Sequence, residues 1–407
     1  MKRLLANCTL IDGLGGSPVS NAQVLVFDDR IERTATGAIG ELARDIEVVD
    51  LDGGFLLPGF CSTHVHLGDR WPAPESPDEP VEERTIRAGR NAMDALRCGI
   101  TSMRSLGEDA FIDVAWRNAF EQGIYTGPTI RAAGNALIAP GGQAHFMRRN
   151  IGVRGVEEVR KEVSRQLEHG VDCIKLMTTA GETIDEGMAF GELQFTSEEI
   201  RAVVETAHAA GKSVCTHTGT SEGVKQAVEA GVDCIEHGYV IDQQAVDLLV
   251  EHEVFLTPTL SVTHNEDFYD RTGMAESQRE RFRRIRGRHD ESLRLAYESG
   301  VKIACGADIN PVGYCTLSEI ELMVECGMSE GDAITAATST SARAIGVGDE
   351  RGVIAEGRIA DFVVLDGNPL EDIRNVRTAR LVIKSGELVE PSLFGANDAI
   401  WDVLQCP

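Results

Sequence analysis

Between residues 59 and 350 the chain alternates short β-branched runs with longer stretches of helical spacing, and it does so eight times. The runs are 59–67, 99–107, 129–138, 171–179, 213–218, 232–238, 254–261 and 301–309. Apolar runs of this kind fit strands buried on both faces, as in a parallel sheet covered by helices. The stretches between them carry helix signals. "TSEEIRAVVETAHAAG" (196–211) offers Thr196 as an N-cap with Glu199 three residues on, the capping-box pattern, and Gly211 as a stop. Eight strand–helix units predict an α/β fold, the (β/α)8 TIM barrel. A doubly wound open sheet would want a glycine-rich phosphate loop after its first strand, and here that strand runs into "THVHLGD". Both chain ends differ in texture. "KRLLANCTLIDG", "AQVLVFDDRIERT", "DFVVLDGNP" and "ARLVIKSGELV" are short β-rich runs broken by turn residues.

In such a barrel, chemistry gathers at the C-terminal ends of the strands. Those ends carry His64 and His66 on strand 1, Lys175 on strand 4, His217 on strand 5, His237 on strand 6 and Asp308 on strand 8. Imidazoles and carboxylates suit zinc, manganese or iron. His64 and His66 are two apart, so on a strand both point into the barrel. His145 and His264 fall in loops after strands 3 and 7, on the same face. His169, His208, His252 and His289 fall in helical stretches and read as helix or surface residues.

The pentapeptide "GVDCI" occurs twice, at 170–174 and 231–235. It reads as a generic buried strand used at positions four and six. With strict alternation, Cys173 shares a face with Lys175, whereas Ile235 shares one with His237. The two cysteines, 173 and 234, are then expected on opposite faces.

The balance of 39 basic against 65 acidic residues gives a net charge of −26. Such a surface repels phosphate backbones, so neither nucleic acid nor an anionic membrane is an expected partner. No run approaches the length of a membrane span. The ten cysteines include no C-x-x-C pair, and several lie in apolar runs. They read as buried thiols, and a cytoplasmic location is expected.

"PGFCSTHVHL", "CIKLMTT", "CTHTG", "IEHG" and "CGADI", in that order, resemble the amidohydrolase superfamily. The order H-x-H, Lys, His, His, Asp is similar to its two-metal branch. Prolidase-like dipeptidase and carboxypeptidase members are nearest in texture, and imidazolonepropionases more distant. The resemblance runs from about residue 3 to 390. It implies a small β-sandwich built from residues 1–58 and 351–395, a catalytic barrel at 59–350 and a tail at 396–407. It also implies two divalent ions, zinc foremost. His64, His66 and Asp308 would hold one, and His217 and His237 the other. Lys175 would bridge them as a carbamate formed with carbon dioxide, since an ammonium has no lone pair to offer a cation. A metal-bridging hydroxide would attack an amide of a small dipeptide or N-acyl amino acid, with Asp308 moving the proton. The alternative is a cyclic amide (imidazolone- or hydantoin-like), an ester or a lactone at the same site. A small-molecule substrate and a homo-oligomer are expected.

Some features depart from the resemblance. Where prolidase-like members place a Gly-Gly-His element after strand 3, this chain has Gln143, with His145 two residues on as the candidate for that catalytic and substrate-binding role. Gly219 stands where relatives carry Tyr or His. Further substrate candidates are Arg148 and Arg149, whose guanidinium groups match carboxylates, together with Tyr239, His264 and Tyr314. The acidic loop residues Glu182, Asp185, Glu186 and Glu192 would suit a cationic group.

Overall fold

The computed structural model describes residues 2–39, 46–73, 78–142, 144–181 and 189–390. The eight expected barrel strands are Phe60–Val65, Ile100–Ser105, Thr129–Ala132, Cys173–Met177, Ser213–Thr220, Cys234–Val240, Phe255–Thr257 and Lys302–Ile303, here numbered barrel strands 1 to 8. Strands 1 to 3 and strands 4 to 8 each form a parallel ladder. Backbone bonds close the ring. Asp172 N donates to Ala132 O at 2.7 Å between strands 3 and 4, and Thr63 N donates to Cys305 O at 2.8 Å between strands 1 and 8. At that last seam Gly306 lies so close to strand 1 that a Cβ on it would stand 2.6 Å from the His64 nitrogen. Only glycine permits that approach.

The helices cover the ring, and the shell between them and the strands holds most of the apolar core, including Ile174, Leu176, Ile235, Ala202 and Val203. The helix Ser197–Ala209 starts in the expected capping box: Thr196 N donates to Glu199 Oε2 at 2.8 Å, and Glu199 N to Thr196 Oγ1 at 3.3 Å. Both chain ends meet in one mixed sheet of eight strands. Its path runs Glu387–Val389, Ala379–Lys384, Phe362–Leu365, Phe55–Pro58, Lys2–Leu10, Val19–Phe27 and Arg30–Thr36, with Glu47–Asp50 also paired to Lys2–Leu10. The sheet has a core of its own around Leu5, Val24, Leu56 and Phe362. Lys384 Nζ bonds both Asp361 Oδ2 of this sheet (2.8 Å) and the Thr101 carbonyl of the barrel (3.0 Å). The tail at 396–407 lies outside the described residues.

Two expectations about strands are corrected. The run 129–138 is not one strand. It breaks at Gly134, whose φ of +63° no strand residue adopts, and resumes as Ala136–Ile138, paired with Asn150–Gly152. The cysteines of the repeated pentapeptide do not face opposite sides. Cys173, Cys215 and Cys234 cluster together with Leu106 and Ala133, while Ile235 belongs to the strand–helix shell. Alternation fails at His237, whose φ is +77°. That left-handed turn is costly for a residue with a Cβ. Here it brings two consecutive side chains, Glu236 and His237, onto the interior side.

Candidate active site

His64 and His66 end strand 1, and Asp308 follows strand 8 across the seam. Asp308 N bonds the His64 carbonyl at 2.9 Å, and its own φ of +67° turns the carboxylate toward the two imidazoles. Asp308 Oδ1 lies 3.2 Å from His64 Nε2 and 3.0 Å from His66 Nε2. On the far side of each ring the partner can only accept. His64 Nδ1 donates to Glu236 Oε2 at 2.9 Å, and His66 Nδ1 faces the Gly107 carbonyl at 3.4 Å. Both rings therefore turn Nε2 toward the carboxylate. Burial, reinforced by Arg149, holds His66 down to about 4. Burial would raise Asp308, but His64, His66 and His237 hold it well below the usual carboxylate range. Two imidazole nitrogens and a carboxylate oxygen converge here, which is the donor set a cation completes. These three ligand atoms lie within 4.8 Å of one another.

His217 and His237 face each other with ring centroids 4.3 Å apart. His237 Nδ1 lies 2.7 Å from Thr259 Oγ1 and 3.9 Å from Asp308 Oδ2. Burial, with Lys175 nearby, pushes His217 down to about 3. Burial also draws Lys175 below the ordinary lysine range. Lys175 Nζ and His217 Nε2 are buried without a hydrogen-bond partner among the described residues. A buried polar atom left unpaired costs about 1–3 kcal/mol, so two in one cleft point to something absent that pairs them.

Below this layer stands an ion pair that the sequence reading passed over. Arg104 of strand 2 donates to Glu236 Oε1 at 2.6 Å, and Glu236 holds His64 with its other oxygen. Burial would raise Glu236, but Arg104 and His64 hold it down at about 2. The repeated pentapeptide is clarified by this. Two residues after each cysteine, on the same interior face, stands Lys175 in one copy and Glu236 in the other. The equivalent of Lys175 is the glutamate, and His237 is an addition made by the backbone turn.

The six side chains line a cleft of about 560 Å³ with Asp69, Trp71, Ala144, Met147, Arg149, Met177, Tyr239, Val262 and Ile309 (Glu236, beneath them, does not reach it). Of the expected substrate residues, Arg149 and Tyr239 line this cleft. Arg149 is paired with Asp69, and Tyr239 stacks on His237 with centroids 5.0 Å apart. The others do not line it. Arg148 donates to the Glu79 carbonyl at 2.9 Å. The His145 ring lies against Phe146. His264 bonds Asp290 at 2.7 Å. Tyr314 donates to Asp267, with Arg377 over its ring. His289 is on a helix as expected, yet it is buried with its ring edge against Tyr239. Gln143, Glu182, Asp185 and Glu186 lie outside the described residues, and Glu192 does not line the cleft. Among the described residues no helix is long and apolar enough to cross a membrane.

Comparison with known proteins adds to this geometry. The model of the amidohydrolase family matches residues 55–389. Ochratoxinase from Aspergillus niger is 28% identical over 373 residues, 82% of this chain and 75% of that protein. The crystal structure of a Xaa-Pro dipeptidase with methionine bound in its active site superposes with a TM-score of 0.87 at 31% identity, over 96% of this chain and all (100%) of that one. A prolidase complexed with N-methylphosphonate-L-proline gives 0.84 at 29%, over 96% and 100%.

Proposed function

Because this chain belongs to the amidohydrolase family, we propose that it hydrolyses the amide bond of a small dipeptide or N-acyl amino acid at a centre of two divalent ions. The observation that carries the reading is the pair of buried atoms without a partner among the described residues, Lys175 Nζ and His217 Nε2, beside the converging ligand atoms of His64, His66 and Asp308. His64, His66 and Asp308 would hold one ion, and His217 and His237 the other. Lys175 would serve both as a carbamate. Its burial favours the neutral amine, the form that adds carbon dioxide. The residues fit such ions, zinc foremost: every imidazole involved is buried, and the set joins nitrogen and oxygen donors. When bound, two such ions supply a Lewis acid for the scissile carbonyl and an activated water.

The chain's own groups do the rest. Asp308 takes the proton from the attacking water and returns it to the leaving amine, acting as base and then acid. Arg149, on the cleft wall, offers guanidinium donors to a substrate carboxylate. Trp71, Met147, Met177, Val262 and Ile309 give that wall an apolar surface. Dipeptidase and prolidase neighbours support an amino-acid amide as substrate. The nine described cysteines are free and buried, which fits a reducing cytoplasm. The test is a library of dipeptides and N-acyl amino acids screened for released amine, alongside metal analysis of the active protein. Activity without bound metal would overturn the reading.

A further inference from the structure

The interior of the barrel directly below the centre is a place for apolar side chains, and Cys173, Cys215, Cys234, Leu106 and Ala133 fill it. Into this layer the fold inserts two full charges, Arg104 at 1% and Glu236 at 0% exposure. Withdrawing a charge from water costs several kcal/mol per ion, and replacing a buried pair with apolar residues is often neutral or stabilising. Packing alone therefore gives no reason for the pair.

Its contacts do. Arg104 spends its donors downward and sideways: Nε on the Thr63 carbonyl at 2.8 Å, Nη2 on Cys234 Sγ at 3.3 Å and on Glu236 Oε1 at 2.6 Å. Glu236 then has one oxygen left, and it takes His64 Nδ1–H at 2.9 Å. A carboxylate can only accept, so Glu236 holds the His64 ring by its Nδ1–H and turns Nε2 toward Asp308. The guanidinium orients the carboxylate. Residues from strands 1, 2 and 6 are thus linked through one carboxylate, that of Glu236.

We propose that Glu236 and Arg104 are positioning residues, which hold the His64 Nδ1–H and fix the orientation of its ring, and so set how tightly the His64–His66–Asp308 half of the centre holds its ion. This rests on the two-metal reading above. Three variants test it: Glu236→Gln, Arg104→Met and the double change Arg104→Met with Glu236→Leu. Chelator competition should give a loss of about 10–100-fold in metal affinity for each, the usual effect of removing a partner behind a metal-binding histidine. The double variant leaves no buried charge unpaired, so the metal-free protein should melt close to wild type while its metal affinity stays low. In the metal-free wild type, proton NMR should show a His64 Nδ1–H signal shifted downfield by its carboxylate partner, and the double variant should lose it. Wild-type metal affinity in the double variant overturns the proposal and leaves the pair a self-compensating structural unit. A wild-type protein that binds no metal overturns the two-metal reading instead.

Discussion

On the strand 1 side of the centre His64 is held from behind by Glu236 and has Asp308 3.2 Å in front of Nε2. On the strand 4 and 5 side Lys175 Nζ and His217 Nε2 are as deeply buried and have no partner among the described residues. The first half is held in its binding geometry by protein groups alone. On the proposed reading the second relies on a ligand from outside the chain, because burial without a partner is unfavourable until one arrives. One site thus combines a preorganised half with one that is completed on loading, and the two should respond differently to the same disturbance.

The strongest way to break that contrast is Lys175→Ala. It should lower metal content from about two ions per chain to about one or fewer, and activity about a thousandfold or more. Metal analysis with rate measurement checks both, and full retention of metal would make Lys175 structural. A milder disturbance separates Arg149, on the cleft wall, from its neighbour. Arg149→Lys keeps the charge and loses the planar fork, so KM for substrates with a free carboxylate should rise about tenfold. Arg148→Lys should leave KM unchanged, and equal effects would remove Arg149 from substrate recognition. Timed exposure to a chelator probes the two halves directly. Release should be biphasic, with the His217 side about tenfold faster because Glu236 braces the His64 ring from behind. A single phase would mean that the two halves act as one unit. The smallest effect is expected far from the centre. Thr196→Ala removes the capping box and should cost about 1 kcal/mol of stability in denaturant unfolding, with metal content and kcat unchanged.

The sequence made the eight strands legible because buried parallel strands and capped helices have distinct periodicities. His64, His66, Lys175, His217, His237 and Asp308 were legible because barrel geometry gathers strand ends. Arg104 and Glu236 were not. Arg104 stands mid-strand in "GITSMRSLG", where a charge reads as an outward residue, and only the ring of strands reveals the interior below the centre. Glu236 was read past because strict alternation hands the inward position to the next residue. The positive φ of His237 cancels that rule for one step, and nothing in "IEHG" announces it beyond the following glycine. The substrate candidates divide for a different reason. Arg149 and Tyr239 line the cleft, whereas His145, Arg148, His264 and Tyr314 do not. His145 and Arg148 sit in an irregular loop and His264 and Tyr314 on the helices Leu260–His264 and Val312–Glu325, whose side-chain directions strand alternation does not set.

The seam at Gly306 has a bearing on how the molecule comes to be functional. It joins Thr63 to Cys305 across 242 positions of sequence, and it brings Asp308 to His64. A growing chain therefore displays its histidine pair long before the matching carboxylate exists. Contacts so distant in sequence form late, after the loop-closure entropy of the intervening units has been met. On the proposed reading, tight metal capture is a report that the ring has closed. In a refolding experiment it should trail the recovery of helical signal rather than accompany it.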